Sequence, residues 1–547
     1  MLASKAYTAP TRQLGLAALA LLVIVLAGCK TLPQIASAAG SGQNTSISPT
    51  AELPPAVERR WPNASQDVIN ERARGFGLIN MPDMQRYLNT LYARIKEKAG
   101  APKWPGSVYI LANDALSAYA TAAGNIYISL PWLTSAESED EIVALLSHEF
   151  GHIYLHYHEV DETVQSTDKA SDILAIGIAI SNKTAAKVGW TEVDTLMASY
   201  QLGKSVLTSA YGRSEEEAAD TFALNISTKL GYSYEHGMKS FLERLATWEE
   251  ENEAREQKRQ DELIKGIKAQ ALALAQQESP GSAADNNLVS QWLRRNTGEL
   301  NGNINGALQK FAFDIGKFAE KIVNTHPDIT KRIDAISVLA SRLPESASTS
   351  TAVTKPFNEA ISNKRTQTIL GNYNLAFKAI QDPKSPKSAE YARKSVTGPT
   401  ATHAVPLFAL YTVLNEQPSE RTRREADPGI VLEANFNAES DRAWKLYNER
   451  AARLQARRNT NTARKVMDQG FGYFQTAEAV WPDSIRFYGT VQGWDQAKKM
   501  SQRCGSSFER MRKPCMQAAM SPAEQQEADR KTTEKAEQLV KKVLKKS

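Results

Sequence analysis

The stretch Glu141-Ile-Val-Ala-Leu-Leu-Ser-His-Glu-Phe-Gly-His-Ile-Tyr154 constrains this chain more than any other, because it buries ionisable groups inside an apolar helix. Ile142, Val143, Leu145 and Leu146 make its first turns apolar, so the His148-Glu149 pair that follows is drawn into the interior with them. Buried ionisable groups are costly unless they are paired or bound to metal. The fold must therefore bring something to meet these side chains. His148 and His152 lie four apart, which on a helix puts both imidazoles on one face, about 40° from each other, where they can chelate one ion. The chain has seven histidines, and four of them (148, 152, 156 and 158) fall within this short segment, which favours metal over an ordinary amphipathic helix.

Glu149 follows the first histidine directly, where a carboxylate can take a proton from water during attack on a peptide carbonyl. Two histidines do not complete a site of this kind, which needs a third protein ligand and an open position. The residues offer three candidates. His158 stands ten residues after His148, but Leu155 occupies the place where a glycine would have to turn the chain back, and an unbroken helix rotates His158 away from the other two. His156 continues the four-residue spacing a turn further along the axis. Glu216 lies in Ser214-Glu-Glu-Glu-Ala-Ala-Asp220, where acids followed by small residues suit a helix packed closely on another. Glu216 and Asp220 share a face, so one helix can offer a ligand and also an acceptor for the other ring nitrogen of a ligand histidine.

With these motifs the chain resembles the HtpX/BepA-like zinc metallopeptidases, the family that includes the CAAX prenyl endopeptidases. That family pairs a His-Glu-x-x-His helix with a later Glu-x-x-Ala-Asp helix, matched here by Glu216-Glu217-Ala218-Ala219-Asp220 with Arg213 upstream. The resemblance implies His148, His152 and Glu216 as ligands of one zinc ion, Glu149 as the general base, and Asp220 and Arg213 behind the ligands. Thr325-His326-Pro327 followed by Arg332-Ile333 is similar to a further segment of the family, and implies that His326 steadies the oxyanion or occupies the open metal position in a resting form. Residues 113–129 are similar to the family's strand region before the active-site helix. The runs Val108–Leu111 and Ile126–Ser129, with Gly124 before the second, predict short strands at whose edge an extended substrate could add. The tail carries an imitation, Glu524-Gln-Gln-Glu-Ala-Asp529, in which Gln525 stands where the ligand glutamate belongs. Between the Asp220 helix and His326 the chain departs from the family pattern with a charged, helix-prone insertion at 249–317.

Residues 1–29 read as an export signal: Lys5 and Arg12 precede an apolar run from Leu14 to Ala27 that is short for a membrane span. Leu26-Ala-Gly-Cys29 resembles the bacterial lipobox, which implies a lipid on Cys29, and Lys30 after it implies the periplasmic face of the outer membrane. Residues 30–55 are poor in charge and rich in small residues, a flexible tether. Cys504 and Cys515 are close enough in sequence to form one disulfide in an oxidising compartment, or to remain two buried thiols. The net charge of +5 carries little meaning, since residues 530–547, with seven basic and two acidic residues, supply an excess of that size alone. No basic patch with interleaved aromatics points to nucleic acid. The tail reads either as an amphipathic helix that touches anionic lipid or as a solvated terminus.

The expected fold is α+β and mostly helical: a gluzincin-type metallopeptidase domain with a small edge sheet over 56–342, a linker over 343–363, an all-α region over 364–520 and a basic amphipathic tail over 521–547. Small and aromatic residues alternate in the helical region, as in tetratricopeptide-like hairpins, but no clean 34-residue period is present, and a plain buttressing bundle fits as well. The resemblance implies a zinc endopeptidase of the bacterial envelope that acts on misfolded or stalled envelope proteins, outer-membrane barrels among them, and works beside the outer-membrane assembly machinery. The competing expectation is a non-proteolytic chaperone or scaffold with a latent or structural metal site.

Overall fold

In the computed structural model of the chain, the described residues are 62–156, 213–251, 329–348, 351–525 and 527. The signal segment with Cys29, the tether, the insertion beyond residue 251, His158, His326 and the tail beyond residue 527 lie outside them.

Helix α1 (Ala64–Arg72) starts at Asn63, whose side chain accepts from the amides of Ser65 and Gln66. Strand β1 (Leu78–Ile79) leads into α2 (Pro82–Lys98), which begins with proline at its first position and buries Met84, Leu88, Leu91, Tyr92 and Ile95 at helical spacing. Strands β2 (Val108–Leu111), β3 (Ala118–Ala120) and β4 (Ile126–Ser129) complete one sheet, in the order β1-β2-β4-β3. β2 and β4 run parallel, with Val108 opposite Ile126, and β3 pairs antiparallel with β4. The loops at one end of β2 and β4 touch so closely that a Cβ on Gly106 would lie 2.1 Å from the carbonyl of Gly124, and both glycines have positive φ.

Both runs expected as strands form, but they are the two central strands. The free edges belong to β1 and to β3, a strand the sequence reading passed over. Burial does not mark the edges: β4 is buried throughout, as are Val108, Ile110 and Leu111 of β2, but so are both residues of the edge strand β1, and only β3 is half-buried.

Through α3 (Leu130–Ser135) the sheet feeds α4 (Glu139–His156), the helix that carries the histidine motif. α4 packs along α5 (Arg213–Lys229), and α6 (Ile329–Ala340) lies against α5. Within the segment expected as a linker, α7 (Lys355–Ser362) packs on α2 and α4. The helical region follows as α8 (Lys364–Gln381), α9 (Ser388–Ser395), α10 (Ala404–Glu416), α11 (Trp444–Ala456), α12 (Thr460–Phe474), α13 (Trp481–Gln492), α14 (Trp494–Ser507) and α15 (Arg512–Ala518). Hairpins such as α11–α12 and α13–α14 close where small residues admit aromatic ones. A Cβ on Gly470 would lie 2.7 Å from the ring of Tyr447. Cys504 and Cys515 are joined by a disulfide that ties α14 to α15.

The two halves share one continuous apolar core. Phe76 meets Phe408 with ring centroids 5.0 Å apart, and the Lys445 ammonium lies over both rings. Arg72 donates to the Glu439 carbonyl and the Tyr473 hydroxyl. Among the described residues no helix is long and apolar enough to cross a membrane.

Candidate active site

α4 is two-faced around the motif. Phe150 lies about 200° around the helix from His148 and is buried in an aromatic cluster, edge-on to Tyr92 and Trp104 at 5.5 and 5.4 Å. That anchor turns His148, Glu149 and His152 toward α5, where all three are buried. Gly151 sets the spacing of the two helices: a Cβ there would lie 3.1 Å from the Phe222 ring and 3.3 Å from the Cα of Ala219. The small residues that suggested close helix packing in the sequence provide this contact.

Close approach brings three donors to one point. The Nε2 atoms of His148 and His152 are 3.1 Å apart, and each lies 3.5 Å from an oxygen of Glu216. His148 Nε2 faces Glu216 Oε2 and His152 Nε2 faces Oε1; a tetrahedral ion with bonds of about 2.0–2.1 Å spaces its ligands by about 3.4 Å, so the two imidazoles and the carboxylate fit one such ion. Among the described residues this trio is the group of side chains that could hold a metal. His148 Nδ1 lies 2.9 Å from Asp220 Oδ1, which fixes the ring with Nε2 toward the donor cluster.

Behind the acids stands Arg332, from α6. Its guanidinium donates to both oxygens of Asp220 at 2.8 Å and lies 3.0 Å from Glu216. The sequence marked this arginine only as part of the segment that follows His326. The side chain of Arg213, expected near the ligands, lies outside the described residues, as does that of His156. The imitation motif in the tail is placed elsewhere: Glu524 pairs with Lys498 at 2.7 Å on the surface and accepts from Ser521 at the start of its own helix.

Electrostatics suit a cation. With neutral histidines, the carboxylates of Glu149, Glu216 and Asp220 against the single guanidinium of Arg332 leave two negative charges, the complement of a dication. Burial alone would raise Asp220 and Glu216, but Arg332 and the histidines outweigh it and hold both below the ordinary carboxylate range. Burial opposes a charge on His148, yet Asp220 and Glu216 prevail and push it up to about 9. Glu149 is pushed up to about 7, first by burial and further by Glu216, against the pull of His148 and Arg332. A carboxylate in that range can both accept and return a proton near neutrality.

A His-Glu-x-x-His helix crossed by a glutamate-bearing helix, beside a small sheet, defines a domain of the metallopeptidase class. Residues 82–340 match the model of peptidase family M48, and the chain carries a domain of that family. The chain is also similar to the beta-barrel assembly-enhancing protease of Escherichia coli strain K12, 23% identical over 169 residues, which are 31% of this chain and 34% of that protein. The protein of that name from Yersinia pestis is 24% identical over 170 residues, and a putative one from Vibrio cholerae 25% over 170. The match spans about a third of the length of these relatives.

Proposed function

We propose that this protein is a zinc-dependent endopeptidase of the bacterial envelope, lipid-anchored through Cys29 at the periplasmic face of the outer membrane, that degrades misfolded or stalled outer-membrane proteins. The observation that carries the reading is the donor trio of His148, His152 and Glu216, spaced for one ion with Glu149 beside it. When bound, zinc supplies a Lewis acid that polarises a carbonyl and makes water more acidic at neutral pH. Glu149 takes the proton of the attacking water and returns it to the leaving amine. Asp220 keeps His148 in the orientation and tautomer that a ligand needs, and Arg332 keeps Asp220 and Glu216 ionised. His326, outside the described residues, is proposed to steady the oxyanion.

The envelope assignment draws on the lipobox-like segment ending in Cys29 and on relatives named as proteases that enhance β-barrel assembly. Under this reading the helical hairpins of the C-terminal region hold clients or assembly factors. The test is cleavage of an unfolded outer-membrane barrel by the chain lacking residues 1–29, run beside Glu149→Gln and with a chelator. Cleavage abolished in both controls is expected. A folded, zinc-loaded wild type that cleaves nothing, and instead keeps the barrel from aggregating, would favour the scaffold reading.

A further inference from the structure

Three consecutive acids, Glu139, Asp140 and Glu141, open α4, and each is buried. Acids in a first turn ordinarily face water and favour the helix dipole, but these bind protein groups from separate elements. Glu139 accepts from the hydroxyls of Tyr87 on α2 and Tyr232 at 2.8 and 2.6 Å. Glu141 forms a two-point pair with Arg244. Asp140 is placed between two backbones: Oδ1 accepts from the Ser233 amide at 2.8 Å, and Oδ2 from the Val353 amide at 2.7 Å. The Val353 carbonyl in turn accepts from the Glu139 amide at 2.8 Å. Val353 therefore holds the start of α4 by two hydrogen bonds in opposite senses. Immediately after it, α7 buries Phe357 against Tyr87, and α8 of the helical region begins.

We propose that residues 351–357 form a strap by which the helical region sets the axial position of α4, with Asp140 as the positioning residue. The inference rests on the metallopeptidase reading of the site. His148 follows Asp140 by eight residues, about 12 Å along a rigid helix, so a displacement at the first turn reaches the ligands undiminished. Glu216 is carried by a different helix, so a slide of α4 changes the histidine-to-glutamate spacing. Metal–ligand distances tolerate only about 0.2 Å, and the strap supplies a restraint against such a slide from a part of the chain that contributes no ligand.

The test uses the full chain with zinc titrated against a competing chelator. Asp140→Asn leaves one backbone amide facing another donor, and Phe357→Ala loosens the strap without touching α4. Each is expected to weaken zinc about tenfold, the low end for groups behind a ligand, and to lower kcat with KM unchanged, well below its melting temperature. Lys355→Ala, on the exposed side of α7, is expected to match wild type. Coupling is reciprocal, so zinc should slow hydrogen exchange at the Glu139 and Val353 amides of the wild type, a measurement that needs no variant. Zinc affinity equal to wild type in a folded strap variant, or exchange at these amides that ignores zinc, overturns the strap. Wild-type protein that binds zinc and hydrolyses nothing would overturn the peptidase reading alone, leaving the strap to be judged by affinity and exchange.

Discussion

Two clusters of carboxylate and arginine, one buried and one half-exposed, are built to opposite ends. In the candidate site Glu149, Glu216 and Asp220 face one guanidinium, that of Arg332, and the donor atoms of His148, His152 and Glu216 lie 3.1–3.5 Å from one another. In the helical region a single carboxylate, Asp427, is surrounded by Arg450, Arg453 and Arg457, with Glu433 taking the far side of Arg450. The second cluster spends its charge on holding α11 against the segment before it. With neutral imidazoles the first leaves an excess of negative charge, which a proton on His148 offsets in part and a metal cation can take over. The difference separates a site from a structural ion network, though both read in sequence as acids and arginines scattered among helices.

The largest expected effect breaks the chemistry and leaves the cluster intact. Glu149→Gln should lower kcat by about 10³-fold or more, with zinc affinity in a chelator competition close to wild type. Next, Arg332→Ala removes the one guanidinium among these acids, and the metal-free protein should lose about 3–5 kcal/mol. Zinc should restore a large part of that loss, so urea unfolding with and without the metal checks it. A smaller effect is expected from Gly151→Val, which drives a side chain into Phe222 and Ala219. Overpacking there should cost about 1–3 kcal/mol and weaken zinc by separating α4 from α5, measurable by the same titration.

On the other side of the comparison, Asp427→Ala should destabilise the chain by about 1–2 kcal/mol, between the values of exposed and buried pairs, and leave zinc affinity unchanged. If zinc affinity falls with it, the two clusters are coupled and do not serve separate ends. The smallest effect is a pH dependence. Arg393 and the Thr422 backbone hold Glu425 down to about 2, and Arg450 and Arg453 hold Asp427 below the usual range although burial opposes them. Groups whose folded pKa is depressed stabilise the fold above their unfolded value, near 4, and lose that contribution as pH falls toward 2. Thermal unfolding between pH 5 and 2 should show the decline, and Glu425→Gln should flatten part of it.

The site was more legible than its supports because its signals are local in sequence. A four-residue spacing of histidines, apolar turns ahead of them and small residues after an acidic run all depend on helical periodicity, which neighbouring residues determine. The strand runs were visible for the same reason, but their order was not: which strand lies at an edge depends on pairing with strands distant in sequence, and no periodicity encodes that. Arg332 and the three acids at the start of α4 were beyond such reading. An arginine on a helix face is ordinarily solvated, and only the docking of α6 on α5 makes this one the partner of Glu216 and Asp220.

The sequence by itself determined the helix that carries His148, Glu149 and His152, the chemistry those side chains can perform, and Glu216 as a candidate partner. Tertiary structure alone decided that the donors converge, because convergence depends on the Gly151 contact, on Phe150 anchoring the opposite face, and on groups at positions 220, 332 and 353. The division has a physical cause. Helical geometry is set by bonds within a few residues, whereas the distance between two helices is set by whatever packs between and behind them, and here those groups are spread from Tyr92 to Val353.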